Sequence, residues 1–368
     1  MNIGEPQGRP SGAASDDGGC IDLRSDVVTP PTEEMWTAMR QAKLGMAPVG
    51  DDAAVQDLVR LGASILGKDA ALYVPTCSMA NLLALMVLGK PGTQVVLESS
   101  MHIVWSEGWG FAHPGGLFPR LLNGIRGAVD PAAVEDAVAE PRFGRLPRTS
   151  LVCIENSHNN AGGTVLTPEQ TEAIAAVAAR HDIPVHLDGA RLFNAAAALH
   201  VAPSRLAQAA ATVAVSLNKG LSAPEGALLC GPRSIIEEAR VAAHRVGGAS
   251  VHKAGLAAAA GIVALTTMVD RLAVDNRRAR VLAERLSQLD GIAVDLATVQ
   301  TNIVNVELRH DLPAKVFAAR LAGRGVLAWV RSAHQVRFVT HRLIGDGDIE
   351  KVVRAVAAVI RSLEGDTE

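Results

Sequence analysis

The apolar positions of the chain change period several times, and these changes separate predicted strands from predicted helices. The β-branched runs Thr149–Glu155 and Ile183–Asp188 are short and continuous, which predicts buried strands. From Val55 to Leu66 the apolar residues instead recur every three or four positions, as in an amphipathic helix. Strand and helix patterns alternate from about Ala70 to Gly231. We therefore expect an α/β fold with a mainly parallel sheet that is covered on both faces.

The pattern changes again after Gly247 and Gly248. An alanine-rich helix or helix pair is expected from about Val251 to Leu289. The elements predicted after it are a strand at Asn302–Leu308, a helix at Ala314–Leu321, strands at Val326–Val330 and Val336–Thr340, and a helix at Ile349–Ile360. We divide the chain into a disordered tail (1–20), a large domain (21–250), and a long helix with a small α+β domain (251–368).

Composition narrows the class of protein. The 368 residues are 48% hydrophobic and only 3% aromatic, with a formal net charge of -3, so we expect a globular protein that does not bind nucleic acid. Residues 1–19 lack the apolar core of a signal peptide, and Leu256–Leu265 is too short to cross a bilayer. The four cysteines are widely spaced, which argues against disulfides or a thiolate zinc site. A cytoplasmic protein without a membrane segment is expected.

Polar residues follow two of the predicted strands. Asp188 ends one strand, and Lys219 comes just after the strand Val213–Ser216. Strand ends of a parallel sheet meet at one edge, where reactive groups usually lie. A pyridoxal phosphate enzyme uses these two residue types, because a lysine forms the Schiff base and a carboxylate keeps the pyridine nitrogen protonated. Either motif alone is better explained as an exposed turn, whereas the pair favours the cofactor.

Other strand ends offer further candidates. Cys77 and Ser78 precede a helix predicted at Met79–Leu88, where free N–H groups could bind a phosphate, although Ser78 could simply cap that helix. His102 follows a predicted strand and could stack on a cofactor ring, move protons or serve a structural role.

A metal site is a weaker alternative. His181, His186 and Asp188 lie close in the sequence, and residues two apart on a strand share a face. They lack a third histidine or glutamate at metal spacing nearby, so no metal is expected.

Five segments resemble those of the L-threonine aldolase and β-eliminating lyase family in order and spacing. They are Leu23–Asp26, Glu155–Asn159, His186–Asn194, Ser216–Leu221 and Arg337–His341. The match extends from Ile21 to Leu363. The resemblance implies a fold type I pyridoxal phosphate enzyme that splits a β-hydroxy-α-amino acid into glycine and an aldehyde. It also implies a homodimer or homotetramer with active sites shared between subunits.

Motif matching then implies a role for individual residues. Lys219 would form the Schiff base, Asp188 would pair with the pyridine nitrogen, and Arg191 would lie beside the ring oxygen of the cofactor. His102 would stack on the ring. The other candidates are Ser25 and Arg337 for the substrate carboxylate, and Cys77, Ser78, Ser216, His252 and Lys253 for the cofactor.

Four positions depart from the family pattern. Arg145 replaces a histidine that would contact the substrate hydroxyl, and Val49 replaces a tyrosine. His252 replaces an arginine, and Glu225 replaces a small or apolar residue. These changes leave open β-elimination, transaldol transfer or other carbon–carbon chemistry, and also a catalytically silent homologue.

Arg145 carries the most specific expectation. An arginine keeps its charge and is a poor general base, so it would favour a substrate with an anionic distal group and disfavour threonine. The alternative is that Arg145 turns to solvent and pairs with a surface carboxylate.

Overall fold

The computed structural model describes residues 19–139, 147–249, 251–309 and 312–364. Most of the tail predicted to be disordered therefore lies outside the described residues. The strands are β1 Ile21–Asp22, β2 Ala70–Val74, β3 Gln94–Glu98, β4 Phe118–Leu122, β5 Thr149–Glu155, β6 Val185–Asp188, β7 Thr212–Ser216, β8 Ala227–Gly231, β9 Ile292–Ala293, β10 Ile303–Leu308, β11 Val326–Leu327, β12 Trp329–Val330 and β13 Gln335–Val339.

Five of the helices begin at a side chain that satisfies a free N–H group of the first turn. Thr32, Asp52, Thr76, Asp130 and Thr167 each accept such a bond with a side-chain oxygen. The helices are α1 Glu33–Gln41, α2 Ala53–Leu66, α3 Cys77–Leu88, α4 His102–Trp105, α5 Pro131–Val138, α6 Pro168–Arg180, α7 Leu192–Leu199, α8 Pro203–Ala207, α9 Arg233–Arg245, α10 Ala254–Thr267, α11 Leu272–Leu286, α12 Ala314–Ala322 and α13 Asp346–Glu364.

The main sheet has seven strands in the order β2-β8-β7-β6-β5-β3-β4. Only β8 runs against its neighbours β2 and β7, while the other pairs are parallel. Helices α3 and α9 pack on one face, and α2, α6 and α10 pack on the other. The expected α/β fold with a mainly parallel, doubly covered sheet is confirmed.

A second sheet, of four antiparallel strands in the order β12-β13-β10-β9, lies in the C-terminal part of the chain. Helices α11, α12 and α13 form an apolar core with it. The N-terminal strand β1 pairs in parallel with β11, and Ile21 and Leu23 are buried in the same core. Both ends of the sequence thus contribute to this region, while the division at residue 250 stays a prediction.

Some strands differ from the sequence prediction. The strand expected at Val326–Val330 is two strands, because β11 pairs with β1 and β12 pairs with β13, with Ala328 between them. The helix or helix pair expected from Val251 to Leu289 is a pair, α10 and α11, which is bent by 70°. Strand β4 was not predicted, since Pro119 and Arg120 interrupt its apolar pattern.

Among the described residues, no single helix is long and apolar enough to cross a membrane. Helices α10 and α11 reach that length only together, across their bend. Helix α10 is largely buried within the protein.

Candidate active site

Three strands of the main sheet end in buried polar residues at one edge. Glu155, Asp188 and Ser216 are the last residues of β5, β6 and β7, and each is less than 5% exposed. Glu155 lies directly opposite Asp188 in the parallel pairing. Two carboxylates are therefore buried side by side where the strands end.

Asp188 accepts hydrogen bonds from Asn81 Nδ2 (3.0 Å) and from the backbone N–H of Ala190 (3.1 Å). Burial raises its pKa to about 7, and the charges of Glu155 and Glu107 add to the effect. A carboxylate in this position gains most from a nearby cation, because a positive charge would relieve both causes.

Asn81 is itself fixed by the neighbouring strand. Its Oδ1 lies 3.0 Å from His186 Nε2, while His186 Nδ1 lies 2.8 Å from the hydroxyl of Thr212. Burial lowers the pKa of His186 to about 3, so this imidazole is neutral at physiological pH. His186 thus orients the amide that donates to Asp188.

The histidines considered for a metal site are not brought together with Asp188 as ligands. His181 pairs with Glu135 (2.6 Å), and His186 is occupied by Asn81 and Thr212. The ligand atoms of His102, Glu107 and Asp188 do lie within 4.8 Å of one another. Asn81 Nδ2 donates to both carboxylates of that group, at 3.0 Å each, which explains their proximity.

His102 lies in the first turn of helix α4 rather than in a loop. Its backbone N–H donates to Glu155 (2.7 Å), and its Nδ1 lies 2.8 Å from Glu107 Oε1. Neither Glu107 nor Glu155 was predicted from the sequence as a site residue. The arrangement leaves Nε2 as the ring nitrogen that faces away from Glu107.

Arg191 forms a buried pair with Asp26, through bonds of 2.8 Å and 2.7 Å to the two carboxylate oxygens. Burial alone would raise the pKa of Asp26, but the Arg191 charge holds it well below its usual range. Asn302 also donates to Asp26 (3.1 Å). Ser25 is adjacent and caps the short 3-10 helix Asp26–Val28. Sequence reasoning placed Arg191 here but missed Asp26, its partner.

Arg337 is a buried guanidinium without a carboxylate partner among the described residues. It is 8% exposed, and it donates to Asn159 Oδ1 (3.0 Å) and to the carbonyl of Arg24 (3.4 Å). Its Nε has no hydrogen-bond acceptor. Burial lowers its pKa to about 9, and the charges of Arg191 and Arg331 add to this. An uncompensated buried cation of this kind is suited to an anionic ligand.

Lys219 lies in the turn between β7 and β8. The hydroxyl of Thr29 and the N–H of Ser222 donate to its carbonyl, at 3.5 Å and 2.8 Å. Its positive charge acts on Asp26, Asp188 and Cys77: it adds to the lowering of the Asp26 pKa and opposes the raising of the Asp188 and Cys77 pKa values. Lys219 therefore lies among these residues, at the same edge of the sheet.

Helix α3 points its N-terminus towards this edge. The cap is Thr76, whose hydroxyl accepts from Met79 N at 3.1 Å, so the alternative that Ser78 caps the helix is wrong. Burial raises the pKa of the Cys77 thiol well above its usual value, although a hydrogen bond with Ser216 opposes the shift. The free N–H groups of the first turn suit a phosphate.

Several other positions singled out from the sequence are exposed on the single chain. His252 and Lys253 are exposed, just before α10, and Val49 is 71% exposed. Glu225 accepts a hydrogen bond from Tyr73 (3.2 Å). Arg145 lies outside the described residues.

The edge offers the groups that pyridoxal phosphate requires. A buried carboxylate with a raised pKa suits a protonated pyridine nitrogen, and Lys219 supplies an amine. The N-terminus of α3 suits the phosphate. The residues present therefore fit this cofactor.

The chain is similar in sequence to a known enzyme family and to several of its members. The sequence pattern of the beta-eliminating lyase family matches residues 22–309. Low-specificity L-threonine aldolase 1 of Arabidopsis thaliana is 37% identical over 334 residues, which cover 89% of this chain and 93% of that protein. Low specificity L-threonine aldolase of Escherichia coli is 33% identical over 324 residues, covering 87% and 93%.

Solved structures show the same fold. Leishmania major threonine aldolase superposes with a TM-score of 0.77 at 18% identity, covering 93% of this chain and 99% of that one. A Thermus thermophilus aspartate aminotransferase double mutant gives 0.70 at 19% identity, covering 93% and 92%. The fold is that of fold type I pyridoxal phosphate enzymes, and the chain belongs to the beta-eliminating lyase family, which depends on this cofactor.

Proposed function

We propose that this protein is a pyridoxal phosphate-dependent aldolase that breaks the Cα–Cβ bond of a β-hydroxy-α-amino acid, releasing glycine and an aldehyde. The observation that carries the proposal is the presence, at one edge of the sheet, of a buried acid with a raised pKa and a buried guanidinium without an anion. The first suits a cofactor ring, and the second suits the carboxylate of an amino acid. The similarity to L-threonine aldolases supports the same reaction.

The chain would hold the cofactor at three points. Lys219 attaches it through its amine, and Asp188 holds a proton at the pyridine nitrogen. Cys77 and Ser78, in the first turn of α3, offer N–H groups to the phosphate, with Ser216 beside them. When bound, pyridoxal phosphate accepts the electron pair that the breaking Cα–Cβ bond leaves on Cα.

The substrate would be held by Arg337, with Ser25 nearby. The Nε of Arg337 lacks an acceptor, so a carboxylate would satisfy it and balance its charge. Arg191 is already neutralised by Asp26 and would lie beside the ring oxygen of the cofactor. The two arginines thus serve different partners.

His102 is our candidate for the group that removes the proton from the substrate hydroxyl. Its Nδ1 is engaged by Glu107, which leaves Nε2 to take a proton and stabilises the charge that results. The backbone bond from His102 to Glu155 fixes the ring in position over the edge of the sheet. Glu107 would therefore act through His102, as a positioning residue.

We also propose that the enzyme is a homodimer or homotetramer with shared active sites. Several large apolar side chains are exposed on the single chain, among them Trp36, Met46, Val49, Trp105, Trp109, Phe118 and Ile125. His252 and Lys253 are exposed as well, and in an oligomer they would reach the cofactor of a second copy.

The test of the assignment is Lys219→Ala. We expect the variant to lose the covalent attachment of the cofactor and nearly all release of glycine from threonine, because Lys219 is the lysine whose charge acts on Asp26, Asp188 and Cys77. Attachment is measured by borohydride reduction followed by peptide mass analysis, and activity by glycine release. Lys253→Ala is the matched control and should keep the attachment. Labelling of Lys253 in the Lys219→Ala protein would overturn the assignment.

A further inference from the structure

A third arginine, Arg331, lies beside the proposed site. It follows strand β12, and its backbone N–H donates to the carbonyl of Gln335 (2.8 Å), so the turn between β12 and β13 fixes its position. Its Nη2 donates to Oδ1 of Asn160. Asn159 Nδ2 donates to the same oxygen (2.9 Å), and Asn159 in turn accepts from Arg337. Arg331 is thus joined to Arg337 through two adjacent asparagines.

The charge of Arg331 has no direct partner in the described part of the chain. No carboxylate there lies within 4.0 Å of its guanidinium, and Glu155 acts on it only from further away. Burial lowers its pKa, as it does for Arg337. Arg191, in contrast, is paired with Asp26. Two half-buried or buried cations therefore remain at this edge, and the carboxylate of one amino acid would balance only one of them.

The hydrogen bonds around Arg331 also indicate where a second anion would lie. Asn160, which accepts from Arg331, donates through Nδ2 to the carbonyl of Ser100 (2.7 Å). Ser100 is two residues before His102, the proposed base for the β-hydroxyl. Arg331 is therefore linked through Asn160 to the segment that carries His102, the residue that would act on the hydroxyl of Cβ.

We propose that Arg331 determines specificity by binding a carboxylate on the Cβ side of the substrate, so that the preferred substrates are acidic β-hydroxy-α-amino acids. This inference rests on the proposed aldolase function and names its substrate class. It is independent of Arg145, since Arg331 alone supplies the required charge. β-Hydroxyaspartate is the smallest amino acid with this chemistry.

The reaction on β-hydroxyaspartate balances without a further reactant. The Cα–Cβ bond breaks, the hydroxyl oxygen loses its proton and becomes the carbonyl of glyoxylate, and Cα takes up a proton to give glycine. Nothing is oxidised or reduced overall by an outside reagent. The distal carboxylate is unchanged, so Arg331 would bind it in both substrate and product.

The experiment compares the cofactor-loaded wild type with Arg331→Gln and Arg331→Lys, and with Arg278→Gln as a matched control. Arg278 belongs to the same C-terminal part of the chain but pairs with Asp346 on the surface. Glutamine can still donate to Asn160, so the substitution removes the charge with little loss of structure. Steady-state kinetics are measured on β-hydroxyaspartate and threonine. Binding of L-aspartate and L-alanine, which lack the hydroxyl, is followed by the visible absorption of the cofactor.

We expect wild type to have the higher kcat/KM on β-hydroxyaspartate. Arg331→Gln should lower it by about 10- to 100-fold, mainly through KM, because a charge-assisted hydrogen bond to the substrate is lost. Threonine cleavage should change by less than about 3-fold, and Arg331→Lys should restore part of the loss. Aspartate should bind more tightly than alanine to wild type but not to Arg331→Gln, and Arg278→Gln should resemble wild type.

Two results would overturn the proposal. One is a wild type that prefers threonine and binds alanine as tightly as aspartate. The other is an Arg331→Gln variant that loses activity on both substrates equally, which would show that Arg331 only supports the loop. Cleavage of neither substrate would instead refute the proposed aldolase function, and the ratio of aspartate to alanine binding would still decide whether Arg331 binds an anion.

Discussion

The surroundings of Asp188 raise its pKa, and a cationic ligand would therefore stabilise its charged form. Its two hydrogen-bond donors are neutral, and burial and two nearby carboxylates outweigh the stabilising charges of His102 and Lys219. The raised pKa means that the charged form of Asp188 is costly without a further cation beside it. A protonated pyridine would supply the missing cation, and the carboxylate would in turn hold the proton on the ring.

Replacing Asp188 by asparagine should therefore separate binding from chemistry. The amide keeps the shape and the contact with Asn81, so we expect the cofactor to remain bound. Cleavage should fall by about 100-fold or more, because a neutral amide cannot keep the ring nitrogen protonated. Cofactor content is measured by absorbance and cleavage by glycine release. Turnover equal to wild type would show that the ring nitrogen is not controlled from this position.

Glu98 is a buried carboxylate that binds two residues next to the candidate site, Ser100 and His158. It accepts from His158 Nε2 (3.0 Å) and from the N–H and hydroxyl of Ser100, each at 2.7 Å. Burial alone would raise its pKa, but these bonds lower it from 4.5 to about 2. Because the pKa is depressed in the folded state, the stabilisation is present above pH 4.5 and is lost as the pH falls towards 2.

We expect Glu98→Gln to lower the free energy of unfolding by about 1–3 kcal/mol near neutral pH, through loss of charge-assisted hydrogen bonds. The difference from wild type should narrow as the pH falls below about 4.5, where the wild-type carboxylate begins to lose this advantage. Urea denaturation at pH values on both sides of this point measures it. A difference that stays constant with pH would show that the charge of Glu98 is not the cause.

Some individual residues of the candidate site could be predicted from the sequence. Asp188, Lys219 and Arg337 were identified because each belongs to a local motif at or near a strand. Glu107 and Glu155 were not assigned roles, because Asn81, which donates to Glu107, and His102, which donates to Glu155, are distant from them in sequence. Arg331 was missed for the same reason, since an arginine in a turn gives no sign that it faces Asn160.

Helices and strands were predicted best where one face or the whole element is buried. Strand β5 was placed with the bounds that the structure has, because its apolar pattern is continuous. The edge strand β4 has little buried surface, and it therefore lacks the pattern that would reveal it. The separation of β11 from β12 depends on which strands they pair with, and pairing is not encoded in either segment.

Helices α2 and α10 are held together at a glycine. A Cβ at Gly255 in α10 would lie 2.3 Å from the Oδ2 of Asp52, whose carboxylate accepts from the N–H groups of Val55 and Gly45, both at 3.1 Å. Asp52 is the N-cap of α2, so it cannot move away without losing these bonds. The close approach of the two helices requires the absence of a side chain at this position.

Gly255→Ala should therefore destabilise the protein by about 1–2 kcal/mol, since the loss of a helix cap outweighs the better helix propensity of alanine. Gly347→Ala is the matched control, because a Cβ there meets nothing within 4 Å in helix α13. We expect the control to be neutral or slightly stabilising. Thermal unfolding of both variants measures the effect, and equal melting temperatures would argue against the proposed clash.

At the scale of the whole molecule, the exposed apolar side chains favour self-association. Ile125 is 83% exposed and Trp105 is 53% exposed, which is costly for residues of this kind in water. We expect sedimentation equilibrium to give a mass at least twice that of one chain, with or without the cofactor. A monomer that still cleaves its substrate would disprove the proposal of shared active sites.

Because β1 pairs with β11, the N-terminal strand can form its hydrogen bonds only after the C-terminal part of the chain has been synthesised. Leu23 accepts from Val339 N (2.8 Å), and Arg337 donates to the carbonyl of Arg24, so the first described residues find their partners only in the last part of the chain. On the ribosome, Asp188 and Lys219 emerge well before Arg337. A nascent chain could thus acquire the groups for the cofactor while Arg337, the proposed partner of the substrate carboxylate, is still missing. The newly made enzyme would remain inactive until its C-terminal strands have formed their hydrogen bonds with the N-terminal segment.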